Sequence, residues 1–471
     1  MSTAGTVAKV DRAADGLAID LSLYALSAAF AGITAITATL PPHGAWGRVA
    51  VIGYAAATVA VIAQLAAHRA GKPVNAAVRA AIAGAAFAVT GLLPLLIQAT
   101  QRAAGHVGRA QEEVGVVEDG GARLWHHGTP YLSHAAIWDL PPAQRLDAYM
   151  PYQPGMALFG LPRAVFGTHS WTDARVWFAA AFVATVGLAL WLLRRSSMTS
   201  LVRAIQGAAV FPIVTLTLAV GGDDLPVLGL CLLALALAAR SRFGWSGVAV
   251  GLAGALKLFA WPVALVLIAY AATRDRRPAI RLALGAVGLP VLALVPAFAV
   301  NASAAYENVV RFALLGDIKG ITSPAASPFP GHLIATNLPG GRHIATGLLL
   351  VAGAAIGVYL VRRPPRTASA AAAVSACGLL VAILLISATR FGYLLYPVAY
   401  ACWIPALRGP VPAPEAVDAD KPSRPEVSHG ASQPCSNKAA VRTDRRSPGD
   451  RAQIALRTDG SAITEASEPL D

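Results

Sequence analysis

Charge is scarce in this chain. Only 13% of its 471 residues are Asp, Glu, Lys or Arg, about half the share usual in a soluble globular protein. Cysteine is rarer still: Cys231, Cys377 and Cys402 fall in apolar runs and Cys435 in the C-terminal stretch. That distribution offers neither a disulfide framework nor a cysteine-based metal site. No basic face alternates with aromatics, so the net charge of +13 does not describe a nucleic-acid binder. No internal repeat is visible, which weakens an inverted-repeat transporter. The first apolar run, from Leu21, is too long for a signal-peptide core and lacks a cleavage site, so it reads as a retained anchor.

What the chain has instead is apolar sequence, 56% of it, with a mean hydropathy of +0.56. Several runs approach the length that crosses a bilayer. Spans are expected at 21–40, 49–67, 80–100, 174–193, 204–220, 225–239, 279–300, 344–361, 368–387 and 393–407. The run 244–270 has Lys257 in its middle and basic residues at both flanks, Arg240 and Arg242 before it and Arg274, Arg276 and Arg277 after it. A hairpin of two short helices turning near Lys257 keeps both flanks on one side. The expected class is therefore an all-α polytopic membrane protein of about twelve passes, including that hairpin, in the plasma membrane. Basic connectors place both ends in the cytoplasm: an N-terminal segment 1–20, a membrane domain 21–407, and a tail 408–471 whose composition predicts disorder. Two long extracytoplasmic loops follow, 101–171 and 301–342.

The first of these loops holds the candidate chemistry. Val114, Val117, Leu124 and Trp125 recur at roughly helical spacing, so an amphipathic helix is expected along the outer surface. Glu113 and Glu118 then lie near its polar edge. Either is placed to take a proton from an attacking hydroxyl, or both simply complement the helix dipole at an acidic start. His106, His126, His127 and His134 show no i, i+4 pair, and solvated loop histidines explain them better than a metal does. A divalent cation would need oxygen ligands, which Glu113, Asp119 and Asp224 could supply without their spacing demanding it. Asp223 and Asp224 form a tight turn between spans, holding a cation or a substrate hydroxyl or else capping the next helix. Lys257 lies beyond easy snorkelling reach, and intramembrane cations are functional suspects by default. Arg390, near Tyr393 and Tyr396, is either a phosphate ligand or an interfacial anchor.

Segments in order along the chain resemble a known family. They are Gln111-Glu-Glu-Val with Glu118, His127-Gly-Thr-Pro-Tyr131, and Tyr149-Met-Pro-Tyr-Gln-Pro-Gly-Met-Ala-Leu-Phe-Gly-Leu-Pro162. Next come Thr172-Asp-Ala-Arg-Val-Trp-Phe178, Asp224-Leu-Pro, Gly251-Leu-Ala-Gly-Ala-Leu-Lys257 with Trp261-Pro262, Ser323 to His332, and Arg390-Phe-Gly-Tyr-Leu-Leu-Tyr-Pro397. Together these are similar to the actinobacterial-type polyprenyl-phosphate-mannose-dependent alpha-mannosyltransferases of the GT-C superfamily. The resemblance implies a GT-C bundle with its active site at the outer leaflet. It implies a polyprenyl-phosphate sugar donor, a glycan or glycolipid acceptor, and an inverting displacement. Glu113 would be the base, with Glu118 its rival, while Lys257 and Arg390 would steady the departing lipid phosphate. Asp119, Tyr131, Asp173, Asp223, Asp224, His332 and Tyr393 would line the substrate site. In many relatives the catalytic loop follows the first span, whereas here it follows the third. Either two spans were added before it, or the catalytic assignment belongs elsewhere. A transporter or flippase for lipid-linked sugars is the alternative, but its polar residues would concentrate near the midplane rather than in outer loops. A non-catalytic scaffold would leave Lys257 and the acidic loop without a role.

Overall fold

The apolar runs fold as helices because their aliphatic and alanine-rich sequence has no water to satisfy its peptide groups except through helical bonds. The computed structural model describes residues 16–315 and 327–408. Of the expected N-terminal segment 1–20 and tail 408–471, residues 1–15 and 409–471 lie outside the described residues, as does 316–326 of the second loop. The first helices are α1 (Leu17–Thr37), α2 (Pro41–Arg69) and α3 (Ala76–Ala103). A loop helix, α4 (Glu112–His127), precedes α5 (Ala174–Leu192), α6 (Met198–Val220) and α7 (Asp224–Ala239). Then come α8 (Phe243–Leu256), α9 (Ala260–Ala272), α10 (Arg276–Ala305), α11 (Gly341–Arg362), α12 (Ala368–Leu385) and α13 (Leu395–Leu407). Eight of these are long and apolar enough to cross a membrane, and four shorter apolar helices accompany them. Leu284, Leu350, Val351 and Val361 point outward and are mostly exposed. Such a surface suits lipid and not water.

The bundle is joined through small residues. A Cβ on Gly47 would lie 2.6 Å from the Ala35 backbone nitrogen, so α1 and α2 touch backbone to backbone. Gly247 meets Leu282, Gly251 meets Gly285 and Ala286, and Gly254 meets Pro290. Both partners rise together in number, so α8 and α10 run parallel. The chain must therefore reverse between them, and it does so after Leu256, where Lys257 takes an extended conformation and α9 starts back. The two-helix hairpin expected from the flanking arginines is thus present in the fold.

One expected loop is partly helical. The sequence predicts a long outer loop over 301–342, whose first part kinks at Asn301 and continues as a π-helical turn, Tyr306–Leu315. Asn301 Oδ1 accepts from the Ala304 N–H at 3.0 Å, which restarts the helix as a cap does.

A buried polar knot holds α1 to α3 and α6. Asp20 accepts from Arg79 Nε at 2.6 Å and from Gln206 Nε2 at 2.9 Å, and it also pairs with Arg203. Arg203 in turn donates to the Gly16 carbonyl at 2.7 Å. Removing the shared acid would strand a guanidinium at 1–2% exposure. Asp20→Ala is therefore expected to cost about 3–5 kcal/mol, since one partner of a buried pair is left behind. A melting temperature in detergent unchanged within a degree or two would show that the knot contributes little.

Candidate functional site

Loop helix α4 anchors the charged end of the bundle. The Gln111 N–H donates to the Val220 carbonyl at 2.8 Å, which seats the start of α4 beside the turn that carries Asp223 and Asp224. Val114, Val116 and Val117 are buried, while Gly121 and Gly160 bring α4 against the segment 154–166 at backbone distance. Glu118 is drawn inward with that face and is not at a polar edge. Its two oxygens each accept from Arg102 at 2.7 Å, Oε2 lies 3.1 Å from Arg163 Nε, and Oε1 also accepts from the Ala174 N–H at 3.2 Å. Asp119 faces out and is exposed.

Asp173 joins the Glu118 ion-pair cluster through Arg102. It caps α5 through the Arg175 N–H at 3.1 Å, is gripped by the Arg175 guanidinium at 2.8 Å, and lies 3.2 Å from Arg102. Burial by itself would raise its carboxyl, but hydrogen bonding and charge from Arg175, then Arg102, outweigh it and hold the group below the ordinary range. A depressed folded pKa stabilises the protein above the unfolded value of about 3.9 and is lost as pH falls through the folded one. The melting temperature of wild type should therefore fall more steeply below about pH 4 than that of Asp173→Asn. Parallel acid limbs would count against this assignment.

Glu113 is arranged differently. Its Oε1 pairs with Arg390, which precedes α13, whereas its Oε2 is shielded from solvent and has no hydrogen-bond partner. Neighbouring this pair is a second cluster built on the hairpin tip. Lys257 Nζ lies 2.9 Å from Asp223 Oδ2 and 2.6 Å from Asp224 Oδ1, with all three side chains buried. The ammonium also faces the rings of Tyr152 at 5.2 Å and Tyr393 at 5.1 Å. Tyr396 donates to Asp224 Oδ1 at 2.8 Å, and Phe259 packs on both Tyr393 and Tyr396. The Tyr393 N–H donates to the Arg390 carbonyl at 3.1 Å while its ring faces Lys257, which ties the two clusters into one site.

A strap of chain, Tyr149 to Gln153, closes the site. The Gln153 N–H donates to the Leu256 carbonyl at 3.1 Å, and Tyr131 donates its hydroxyl to the Tyr152 carbonyl at 2.8 Å. Burial pushes the Tyr131 phenol well up, so it stays a neutral donor. At the other end Tyr149 donates to Glu307 at 2.9 Å and the Met150 N–H to Asn308 at 2.9 Å. Glu307 also binds His134 at 2.8 Å and Arg311 at 3.1 Å, beside an open pocket of about 740 Å³.

Of the residues expected from sequence, Glu113, Asp223, Asp224, Lys257, Arg390 and Tyr393 come together. Tyr131 supports the strap, Glu118 and Asp173 form the neighbouring ion-pair knot, and Asp119 stays apart. His332 bonds the Ser387 carbonyl at 3.0 Å, on the segment that leads to Arg390. Among the described residues, no three His, Cys, Asp or Glu side chains are gathered as a metal would require, so Glu113, Asp119 and Asp224 do not form one oxygen cage. Tyr152, Tyr396 and Glu307 were missed. The first two sit inside segments that already carried the resemblance, but an aromatic next to an apolar run gives no sign that it faces a cation.

Fold and site together define a multi-pass helical membrane protein with a charged, tyrosine-lined site at one end. Residues 149–388, just over half of the chain, match Glycosyltransferase family 87, and the chain belongs to that family. The matched part contains Tyr152, Asp223, Asp224, Lys257 and His332, while Glu113 and Arg390 lie outside it. No curated protein matches the chain. Two crystal structures of ArnT from Cupriavidus metallidurans are similar to it, each at 19% identity. The form bound to undecaprenyl phosphate aligns with a TM-score of 0.43 over 68% of this chain and 59% of that one. The apo form aligns with a TM-score of 0.39 over 63% and 54%. The chain thus spans less than two thirds of the length of ArnT.

Proposed function

We propose that this protein is a GT-C-type glycosyltransferase that takes a sugar from a polyprenyl phosphate and transfers it to an extracytoplasmic glycan or glycolipid. The resemblance of its segments to polyprenyl-phosphate-mannose-dependent enzymes makes mannose the expected sugar. Twelve passes in the plasma membrane, with the α4 end outside, are consistent with Arg69, Arg194, Arg195, Arg240, Arg274, Arg362 and Arg363 at the opposite helix ends.

The observation that carries the reading is the asymmetry of Glu113. One oxygen is held by Arg390 and the other has no partner, so a carboxylate stands ready to accept a proton. Glu118 has both oxygens engaged by guanidinium groups and is poorly suited to that task. In the reaction the acceptor hydroxyl oxygen attacks the anomeric carbon from the face opposite the phosphate. The carbon–oxygen bond to phosphate breaks, the phosphate leaves with the electron pair, and the hydroxyl proton passes to Glu113. Arg390, the more exposed cation, neutralises the leaving phosphate, and Lys257 adds the one ammonium proton not committed to Asp223 or Asp224.

A deletion strain complemented with the wild-type gene tests this. The deletion strain's envelope glycans and glycolipids should lack one glycosyl linkage that the wild-type gene restores, and the truncated species that accumulates identifies the acceptor. If the linkage is lost while lipid-linked sugar builds up on the cytoplasmic face and none reaches the outer leaflet, the protein moves its substrate across the membrane and does not transfer it.

A further inference from the structure

A second polar pocket, of about 170 Å³, lies between α2 and α3 at the same end of the bundle, lined by Arg48, Gln98, Gln101 and Arg109 among others. Its volume equals about six waters at their liquid share. Two cations line it without a counter-ion: among the described residues, neither Arg48 nor Arg109 has a carboxylate partner. Gln98 is fully buried, yet neither its Oε1 nor its Nε2 has a hydrogen-bond partner, and Arg109 Nε is likewise unpaired. An amide withdrawn from water and left unbonded is costly, and such groups in a folded protein call for a ligand or ordered water.

The surroundings indicate which ligand. Arg48 stands in the second turn of α2 and Gln98 little more than one turn before the end of α3, so the pocket sits about 8–10 Å below the helix ends. Leu93, Leu96 and Ile97 on the same stretch of α3 are exposed, and Ile97 also lines the pocket. Guanidinium and amide donors thus adjoin a lipid-facing apolar strip. We infer that this pocket binds the phosphate of an anionic lipid headgroup, with the acyl chains running down the outer face of α3. The arginines supply charge-assisted hydrogen bonds, and Gln98 supplies a neutral donor to a phosphate oxygen and an acceptor for a headgroup hydroxyl.

The full-length protein in detergent micelles, titrated with dioleoyl phosphatidylglycerol and followed by native mass spectrometry, tests this. One lipid should bind at saturation. The Arg48→Gln/Arg109→Gln double variant should bind about a hundredfold more weakly, and Gln98→Leu about tenfold, as lost charge-assisted and neutral bonds imply. Gln98→Leu should also melt no lower than wild type without lipid, because an apolar side chain replaces an unsatisfied amide. That pairing of kept stability with lost binding separates a ligand site from a merely structural one. Saturation by inorganic phosphate with the same variant dependence would keep the anion site and assign free phosphate as its occupant. Phosphatidylglycerol affinity unchanged in both variants would overturn the inference, as would equal binding of dioleoyl phosphatidylcholine in all proteins.

Discussion

Replacing Glu113 by glutamine is expected to lower kcat for sugar transfer by about 10²–10⁴-fold, the usual worth of a positioned general base. Glutamine keeps the size and one acceptor oxygen of the side chain but cannot take a proton at neutral pH. Donor KM should change little if the variant still folds, because the proposed mechanism gives the phosphate to Arg390 and not to the acid. The measurement is transfer of labelled sugar in vesicles holding equal amounts of each protein. Glu118→Gln is the informative control. Its loss of charge leaves Arg102 and Arg163 less well paired, so a lower folded yield is expected, with turnover per folded molecule largely retained. If Glu113→Gln turns over within twofold of wild type, another group accepts the proton and the base assignment fails.

The sequence made the membrane helices legible because length and hydropathy act locally. The reversal at Lys257 was legible for a related reason: arginines at both flanks of 244–270 admit one arrangement that keeps them together. Side-chain environment was harder to read. Glu113 and Glu118 are five residues apart on one helix with similar neighbours in the chain, yet one keeps a free oxygen and the other has none. The difference is made by Arg102, Arg163 and the start of α5, all distant in sequence. Glu307 escaped notice because its segment reads as polar loop, although the cap at Asn301 that restarts the helix is a local bond. Gln98 escaped for the opposite reason, since a single amide in an apolar span carries no sign of being unpaired.

Lys257 is the residue whose role the structure changes most, and its replacement should have two separable effects. From sequence it is a lone intramembrane cation aimed at phosphate. In the fold it already faces two acids, so the cluster bears about one net negative charge when all three ionise. Lys257→Met removes the ammonium that pairs with two buried carboxylates, which should cost about 3–5 kcal/mol of stability. Adding Asp223→Asn and Asp224→Asn removes the stranded charges and should restore most of that loss, because neutral groups of the same shape no longer need a counter-ion. Transfer activity is the discriminating readout. If Lys257 meets the leaving phosphate with its third N–H, the restabilised triple variant should still turn over at least tenfold more slowly than the Asp223→Asn/Asp224→Asn double variant, with the deficit in kcat. A triple variant that regains both stability and full turnover would make Lys257 a counter-ion for the turn, and Arg390 alone would then neutralise the phosphate.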